Sequence, residues 1–171
     1  MYTTEQYFKI QEAIKFLYKS FENVNDDSKP ELVHSLHTGF RLMDYGYEVD
    51  LVIAGFLHDV VEEGGDLQKI KDLFGEKVFE IVGASSKNAS LGDWPEQYVE
   101  LISRAATSGE DTLIVKAVDI LDNFYYMFDT DDEVGKKKVI FLAEQLFKYT
   151  NSEDKVFGDL RKIYNEKMKS V

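Results

Sequence analysis

Four polar side chains, His58, Asp59, Glu62 and Glu63, close the otherwise apolar stretch Gly55-Phe56-Leu57-His58-Asp59-Val60-Val61-Glu62-Glu63. Ionised carboxylates withdrawn from water are costly unless paired, and a cation is their usual remedy. On a helix running through this stretch, His58 and Glu62 stand four apart, Asp59 and Glu63 four apart, and Asp59 and Glu62 three apart. All four then crowd one end of one face. Taken alone, the His58-Asp59 pair reads more simply as a hydrogen-bonded histidine beside a solvated helix end. Two further segments shift that balance. His34 lies in Val33-His34-Ser35-Leu36-His37-Thr38-Gly39-Phe40, and Asp119 interrupts the apolar run from Leu113 to Leu121. Together the four residues offer two imidazoles and two carboxylates, a set suited to one hard-to-borderline divalent ion with water completing an octahedron. The chain has no cysteine, so any metal sits on nitrogen and oxygen.

These residues need a scaffold, and the pattern around them reads as helix after helix, with no convincing strand. Only two prolines and eleven glycines punctuate 171 residues. An amphipathic helix is expected over 4–23, ending near Asn25-Asp26-Asp27. A second runs from Pro30, in the first-turn position, to Tyr45, with Gly46 as its stop. Glu48 to Val61 is nearly all apolar and predicts a central buried helix with its polar exceptions in the last turn. Asp66 caps a short helix to Phe74, Gly75 separates it from Glu76 to Ala84, and Asp93 caps a helix from Trp94-Pro95 to Thr107. Glu110 to Phe128 is the second strongly apolar helix. Amphipathic helices over 134–149 and 154–169 complete an all-α bundle of eight or nine helices. Without a linker or repeat, residues 1–171 read as one domain with a core of about 30–126 flanked by helices 4–23 and 134–169.

The order and spacing of the motifs add a resemblance. His34-Ser35-Leu36, then His58-Asp59-Val60-Val61-Glu62-Glu63, then Phe74-Gly75-Glu76-Lys77-Val78 with Ser85-Ser86-Lys87, and finally Lys116-Ala117-Val118-Asp119-Ile120-Leu121-Asp122-Asn123 follow one another. This resembles the H…HD…D signature of the HD superfamily of phosphohydrolases, and is most similar to its RelA/SpoT-type branch. Hydrolase domains of that branch remove pyrophosphate from the 3′ position of guanosine tetra- and pentaphosphate. The likeness covers about Pro30 to Tyr126. It departs at Glu63, where the branch carries aspartate, and in Asn25-Asp26-Asp27-Ser28-Lys29, where it carries a base-holding arginine.

The resemblance implies a metal-dependent phosphohydrolase in which His34, His58, Asp59 and Asp119 hold one divalent ion, with manganese favoured over iron, magnesium, cobalt or zinc. A metal-activated water then attacks phosphorus. Glu62 and Glu63 orient the water and handle its proton. Lys87 and Lys116 neutralise phosphate oxygens, and Asn123, one turn beyond Asp119, hydrogen-bonds the substrate. His37 is not counted as a ligand. Tyr125, Tyr126 and Phe128 pack the core or line the pocket wall, and Trp94 anchors a helix start. The substrate is a small phosphorylated molecule, a nucleotide of the guanosine tetraphosphate type. The alternatives are a phosphomonoesterase or phosphodiesterase acting on another nucleotide, and a non-catalytic HD module that keeps its metal for regulation.

Bulk properties narrow the partners. A net charge of −12 repels a nucleic-acid polymer at long range, yet a metal and a few lysines reverse the field locally for a small phosphate. No apolar run reaches the ~18 residues of a membrane span. Met1-Tyr2-Thr3-Thr4-Glu5 lacks the basic and apolar regions of a signal peptide, which makes a cytoplasmic address the expectation.

Overall fold

The computed structural model describes residues 1–22, 29–88, 90–150 and 153–169. Among them are nine α-helices and no strand, as the periodicity predicts. The first five are α1 (Thr4–Phe21), α2 (Glu31–Tyr45), α3 (Val49–Leu57), α4 (Leu67–Phe74) and α5 (Glu76–Ser85). They are followed by α6 (Trp94–Ser108), α7 (Glu110–Met127), α8 (Glu133–Phe147) and α9 (Lys155–Lys167). Among the described residues no helix is long and apolar enough to cross a membrane.

Helices start where the sequence supplies acceptors for their first N–H groups. Thr3 and Gln6 form a reciprocal capping box on α1. Asp66, Asp93, Asp132 and Asp154 each accept from a first-turn N–H of α4, α6, α8 and α9. Pro30 stands one position earlier than expected, as the residue that caps α2 rather than its first helical member, because its ψ of 74° is not helical. Gly46 ends α2 with φ 84°, as expected of a glycine stop.

Two helices form the interior. Every residue of α3 from Leu51 to Leu57 is buried, and so is every residue of α7 from Thr112 to Asp122. Side chains such as Phe56, Phe124 and Phe157 fill the space between helices with almost no exposure. The α2–α3 crossing is unusually close because two glycines meet there. A Cβ on Gly39 would fall 2.2 Å from the Phe56 ring, and one on Gly55 would fall 2.2 Å from Leu42 and 3.4 Å from the Gly39 Cα. That approach brings His34, one turn before Gly39, beside His58, one turn after Gly55.

The expected helix over Glu48 to Val61 stops at Leu57, and residues 58–64 are turns. In a continuous helix the Gly55 carbonyl would accept from residue 59; here the His58 imidazole Nδ1 donates to it at 2.8 Å. The backbone tightens into a Val60 N–H to Leu57 carbonyl bond of 3.1 Å. It then closes as a helix end does, with Gly64 at φ 85° and bonds from Gly65 to Val60 and from Gly64 to Val61. His58, Asp59, Glu62 and Glu63 are therefore gathered by a turn and not by a uniform helical face.

Candidate metal centre

His34 on α2, His58 and Asp59 in the turn after α3, and Asp119 on α7 converge. His34 Nε2 is 3.2 Å from His58 Nε2, 3.0 Å from Asp119 Oδ1 and 3.6 Å from Asp59 Oδ2. His58 Nε2 is 3.1 Å from Asp59 Oδ2 and 3.7 Å from Asp119 Oδ1. Ligand atoms about 2.1 Å from a common centre lie about 3.0 Å apart at right angles and about 3.4 Å apart at tetrahedral angles. His34, His58 and Asp59 offer ligand atoms that all lie within 4.8 Å of one another, and Asp119 Oδ1 adjoins the two histidines.

Hydrogen bonding on the outer side of each ring fixes which nitrogen faces inward. His34 Nδ1 donates to Asp122 Oδ2 at 2.9 Å, and His58 Nδ1 donates to the Gly55 carbonyl. With both Nδ1 atoms carrying hydrogen, both Nε2 lone pairs point into the cluster, facing each other and two carboxylates. A divalent metal fits such a donor set, and in its absence a proton on a ring nitrogen relieves the facing lone pairs. The surrounding acids favour positive charge at this position. Burial alone would push the His58 imidazole down, but the Asp59 and Asp119 carboxylates overcome it and hold it up at about 10. Burial also opposes ionisation of Asp59 and Asp119, yet His58 holds Asp59 low and Lys116, with the two histidines, holds Asp119 well below the carboxylate range.

The other expected site residues gather around this centre. Lys116, 3% exposed, places Nζ 2.5 Å from Asp119 Oδ2, and Asn123 Nδ2 donates to Asp119 Oδ1 at 2.6 Å. The hydrogen bonds of both thus run to a candidate ligand, while both side chains also line the cavity in front of it. Glu62 is held twice by Lys87, through the backbone N–H at 2.6 Å and Nζ at 2.7 Å. Burial would lower the Lys87 ammonium, but Glu62 holds it well above its ordinary value. Glu63 lines the same cavity, which has a volume of about 370 Å³ and is walled on its apolar side by Leu101, Met127, Val139 and Leu142.

Three residues outside the sequence expectation support the centre. Asp122 holds His34, and its second oxygen lies 3.4 Å from His37 Nδ1 and 3.5 Å from Arg41 Nη2. Its signal was available in the spacing: an acid three residues after Asp119 on a buried helix shares its face. Arg104 on α6 donates to the Gly83 carbonyl at 2.6 Å and the Ser86 carbonyl at 2.7 Å, which fixes the segment that delivers Lys87. Tyr98 lines the cavity near Lys87. Neither carries a local signal, because α6 reads as an ordinary amphipathic helix. His37 is exposed, with Nδ1 3.4 Å from the outer oxygen of Asp122. Trp94 packs edge-on against Tyr98 and Phe141, joining the start of α6 to α8. Tyr125 and Tyr126 line a smaller cleft behind His34, and Phe128 stacks on Phe124. Of the expected base-holding loop, residues 25–28 lie outside the described residues; Lys29 pairs with Glu31 at 3.2 Å on the cavity rim.

An all-helical bundle in which two histidines and two aspartates meet from three segments defines a class, and the HD domain family model matches residues 13–140. The chain belongs to the HD domain family. Among its relatives, the guanosine-3′,5′-bis(diphosphate) 3′-pyrophosphohydrolase of Aquifex aeolicus is 28% identical over 134 residues, 75% of this chain and 19% of that one. A probable enzyme of the same name from Mycoplasma pneumoniae is 29% identical over 107 residues, 56% of this chain and 15% of that one. The chain thus spans less than a fifth of the length of these curated relatives. Among solved structures, a metazoan orthologue of SpoT that hydrolyzes ppGpp superposes with a TM-score of 0.77 at 19% identity, covering 98% of both chains. A Listeria monocytogenes protein superposes with a TM-score of 0.67 at 20% identity, over 80% of this chain and 99% of that one. These relatives bear out the resemblance to the RelA/SpoT-type branch, and the two structures share the helical-bundle fold.

Proposed function

We propose that the chain is a metal-dependent phosphohydrolase, with His34, His58, Asp59 and Asp119 holding one divalent ion, that removes a phosphate or pyrophosphate group from a nucleotide of the guanosine tetraphosphate type. The observation that carries this reading is the pair of inward-facing Nε2 atoms 3.2 Å apart, each tied behind through Nδ1 and each flanked by a carboxylate. Manganese is the favoured ion. When bound, a divalent ion supplies Lewis-acid polarisation of a phosphoryl oxygen and lowers the pKa of water.

The chain's own groups do the rest. Glu62 and Glu63, on the cavity wall beside Asp59, orient the attacking water and accept its proton. Lys87 fixes Glu62 in place and offers its ammonium to phosphate oxygens. Lys116 and Asn123 hold Asp119 and stand where the phosphoryl group enters, so that each steadies a ligand and meets the substrate. The apolar wall excludes water from the far side of the substrate. A second reading, a phosphomonoesterase or phosphodiesterase on another nucleotide, is favoured by Asn25-Asp26-Asp27-Ser28-Lys29, which contains two acids and no arginine. A cytoplasmic nucleotide pool suits either substrate.

Metal analysis of protein purified without chelators, followed by a manganese-supported hydrolysis screen, tests both readings. The screen covers guanosine tetraphosphate, nucleoside monophosphates, dinucleotides and cyclic nucleotides. One equivalent of metal and release of pyrophosphate from guanosine tetraphosphate are expected. A protein that takes up no metal even after manganese loading sinks the central reading, and bound metal without turnover of any substrate indicates a regulatory module.

A further inference from the structure

Arg104 makes a hydrogen bond at the end of α5 that helix capping does not explain. Ser86 follows the last helical residue with an extended backbone, ψ 136°, so its carbonyl lies beyond the helical ladder. Of the carbonyls left open in the last turn, Val82 accepts from the Ser86 N–H at 3.1 Å and from its hydroxyl at 2.8 Å. Gly83 accepts from Arg104 Nη1 at 2.6 Å, and Ser85 from Lys116 Nζ at 3.5 Å. Arg104 Nη2 reaches past these to the Ser86 carbonyl, at 2.7 Å. The guanidinium is aimed by Glu100, which accepts from Nε at 2.7 Å and from Nη2 at 3.1 Å. Four of its five N–H groups are thus engaged.

The Ser86 carbonyl and the Lys87 N–H belong to one peptide unit, which is planar and carries its C=O and N–H in opposite directions. Fixing the oxygen therefore fixes where the hydrogen points. That N–H donates to Glu62 Oε1 at 2.6 Å, while Lys87 Nζ lies 2.7 Å from Oε2. The peptide follows the end of α5, so no regular ladder holds its plane. The contacts run without a gap from Glu100 through Arg104 and this one plane to the Glu62 carboxylate. A guanidinium on the carbonyl also polarises the peptide and makes the N–H at its other end a stronger donor. Arg104 itself lines a groove along α6 with Glu96, Glu100, Ser103 and Thr107, while Glu62 and Lys87 line the cavity in front of the metal centre. Its effect on that cavity passes through the segment it holds.

We propose that Arg104 is a positioning residue for the hydrolytic reaction: by holding the Ser86–Lys87 peptide plane it aims the Lys87 N–H at Glu62 and so sets the place from which that carboxylate orients the attacking water. The proposal rests on the phosphohydrolase reading above and adds to it a residue that acts from outside the cavity.

A double-mutant cycle between Arg104 and Glu62 tests this, on manganese-loaded protein with a substrate turned over in the hydrolysis screen. Arg104→Ala alone should lower kcat about 10–100-fold, the scale of a catalytic group displaced by about an ångström. In the Glu62→Ala background the same change should cost less than about threefold, because the group that Arg104 aims is gone. A purely structural role would give the same loss in both backgrounds. Equal losses therefore overturn the proposal, as does an Arg104→Ala enzyme with the wild-type kcat. If Arg104→Ala does not fold, Arg104→Lys takes its place in the cycle, since a point charge cannot span the Gly83 and Ser86 carbonyls. If no compound is turned over, the hydrolase reading fails on its own, and the hold of Arg104 on Glu62 is judged from the Lys87 amide. Hydrogen exchange at that amide, followed by nuclear magnetic resonance, should be at least about tenfold faster in Arg104→Ala than in wild type, the scale of one lost hydrogen bond to a charged group. Unchanged exchange overturns the proposal whether or not a substrate is found.

Discussion

At the residue scale, the centre depends on groups that touch its ligands as much as on the ligands. Asp122 holds the Nδ1 hydrogen of His34 at 2.9 Å and so keeps the Nε2 lone pair pointed inward. Outer partners of this kind typically change metal affinity about 10–100-fold when removed. Asp122→Ala should weaken manganese binding by that factor while the helical content is kept, and a titration followed by the resonance of free manganese measures it; an unchanged affinity would remove Asp122 from the site. Asp119 differs, because it is also the counter-charge of Lys116, which is 3% exposed. Breaking a buried pair from one side costs about 3–5 kcal/mol, whereas replacing both members with apolar groups is often neutral. Asp119→Ala should therefore lower the thermal midpoint of the metal-free protein, and Lys116→Met combined with Asp119→Ala should recover stability without recovering metal. Calorimetric melting of the two single variants and the double variant decides this, and equal midpoints for Asp119→Ala and the double variant would contradict it.

At the element scale, the sequence shows which segments meet but not how they turn. His58-Asp59 and Asp119 are legible because each is polar within an apolar stretch, whereas His34, followed by Ser35 and His37, is legible only through the order of the motifs. The end of α3 is not legible in the same way. The residues after Leu57 have helical spacing, and only the side-chain bond from His58 to the Gly55 carbonyl shows that the backbone leaves the regular ladder there. Asp122 has the right spacing but no distinguishing neighbour in sequence, and Arg104 acts across 18 residues on the Ser86 carbonyl, which no local pattern reports. The α2–α3 crossing likewise depends on two glycines that read in sequence as mere interruptions. A methyl on Gly55 would meet Leu42, itself fully buried, at 2.2 Å. Overpacking of this kind costs about 1–3 kcal/mol and is relieved by moving the helices apart. Gly55→Ala should accordingly lower stability by that amount and also weaken metal binding, since the same displacement separates the His34 and His58 nitrogens. Denaturant unfolding and metal titration of this one variant test the link, and a destabilised variant with full metal affinity would show that the crossing does not position the centre.

At the scale of the whole molecule, the all-helical class follows from composition, and the starts of α4 and α6 from Asp66 and Asp93, because capping is a local matter. The attachment of α9 is not local. Besides the packing of the buried Val156, Phe157 and Leu160 on α7, it uses Tyr45 and Tyr47, from the end of α2 and the segment before α3, whose hydroxyls donate to Asp159, at 2.8 Å, and to Asp154. Sequence places these partners more than 100 positions apart and gives no reason to join them. Burial, reinforced by the facing carboxylates, raises the pKa of both phenols above the ordinary value of 10.0. The sign follows from linkage. A phenol whose folded pKa exceeds its unfolded one binds more protons in the native state, so its contribution is complete below pH about 10 and declines as the pH rises beyond that value. The thermal midpoint should thus be insensitive to these groups between pH 7 and about 9 and fall above pH about 10. Tyr47→Phe should flatten that alkaline decline, at the cost of a lower midpoint at neutral pH from the lost hydrogen bond. Melting curves from pH 7 to 11 for wild type and variant compare the two slopes directly. Parallel curves would mean that the hydroxyl of Tyr47 does not couple the hold on α9 to pH, and that the alkaline limit of the fold lies in other groups.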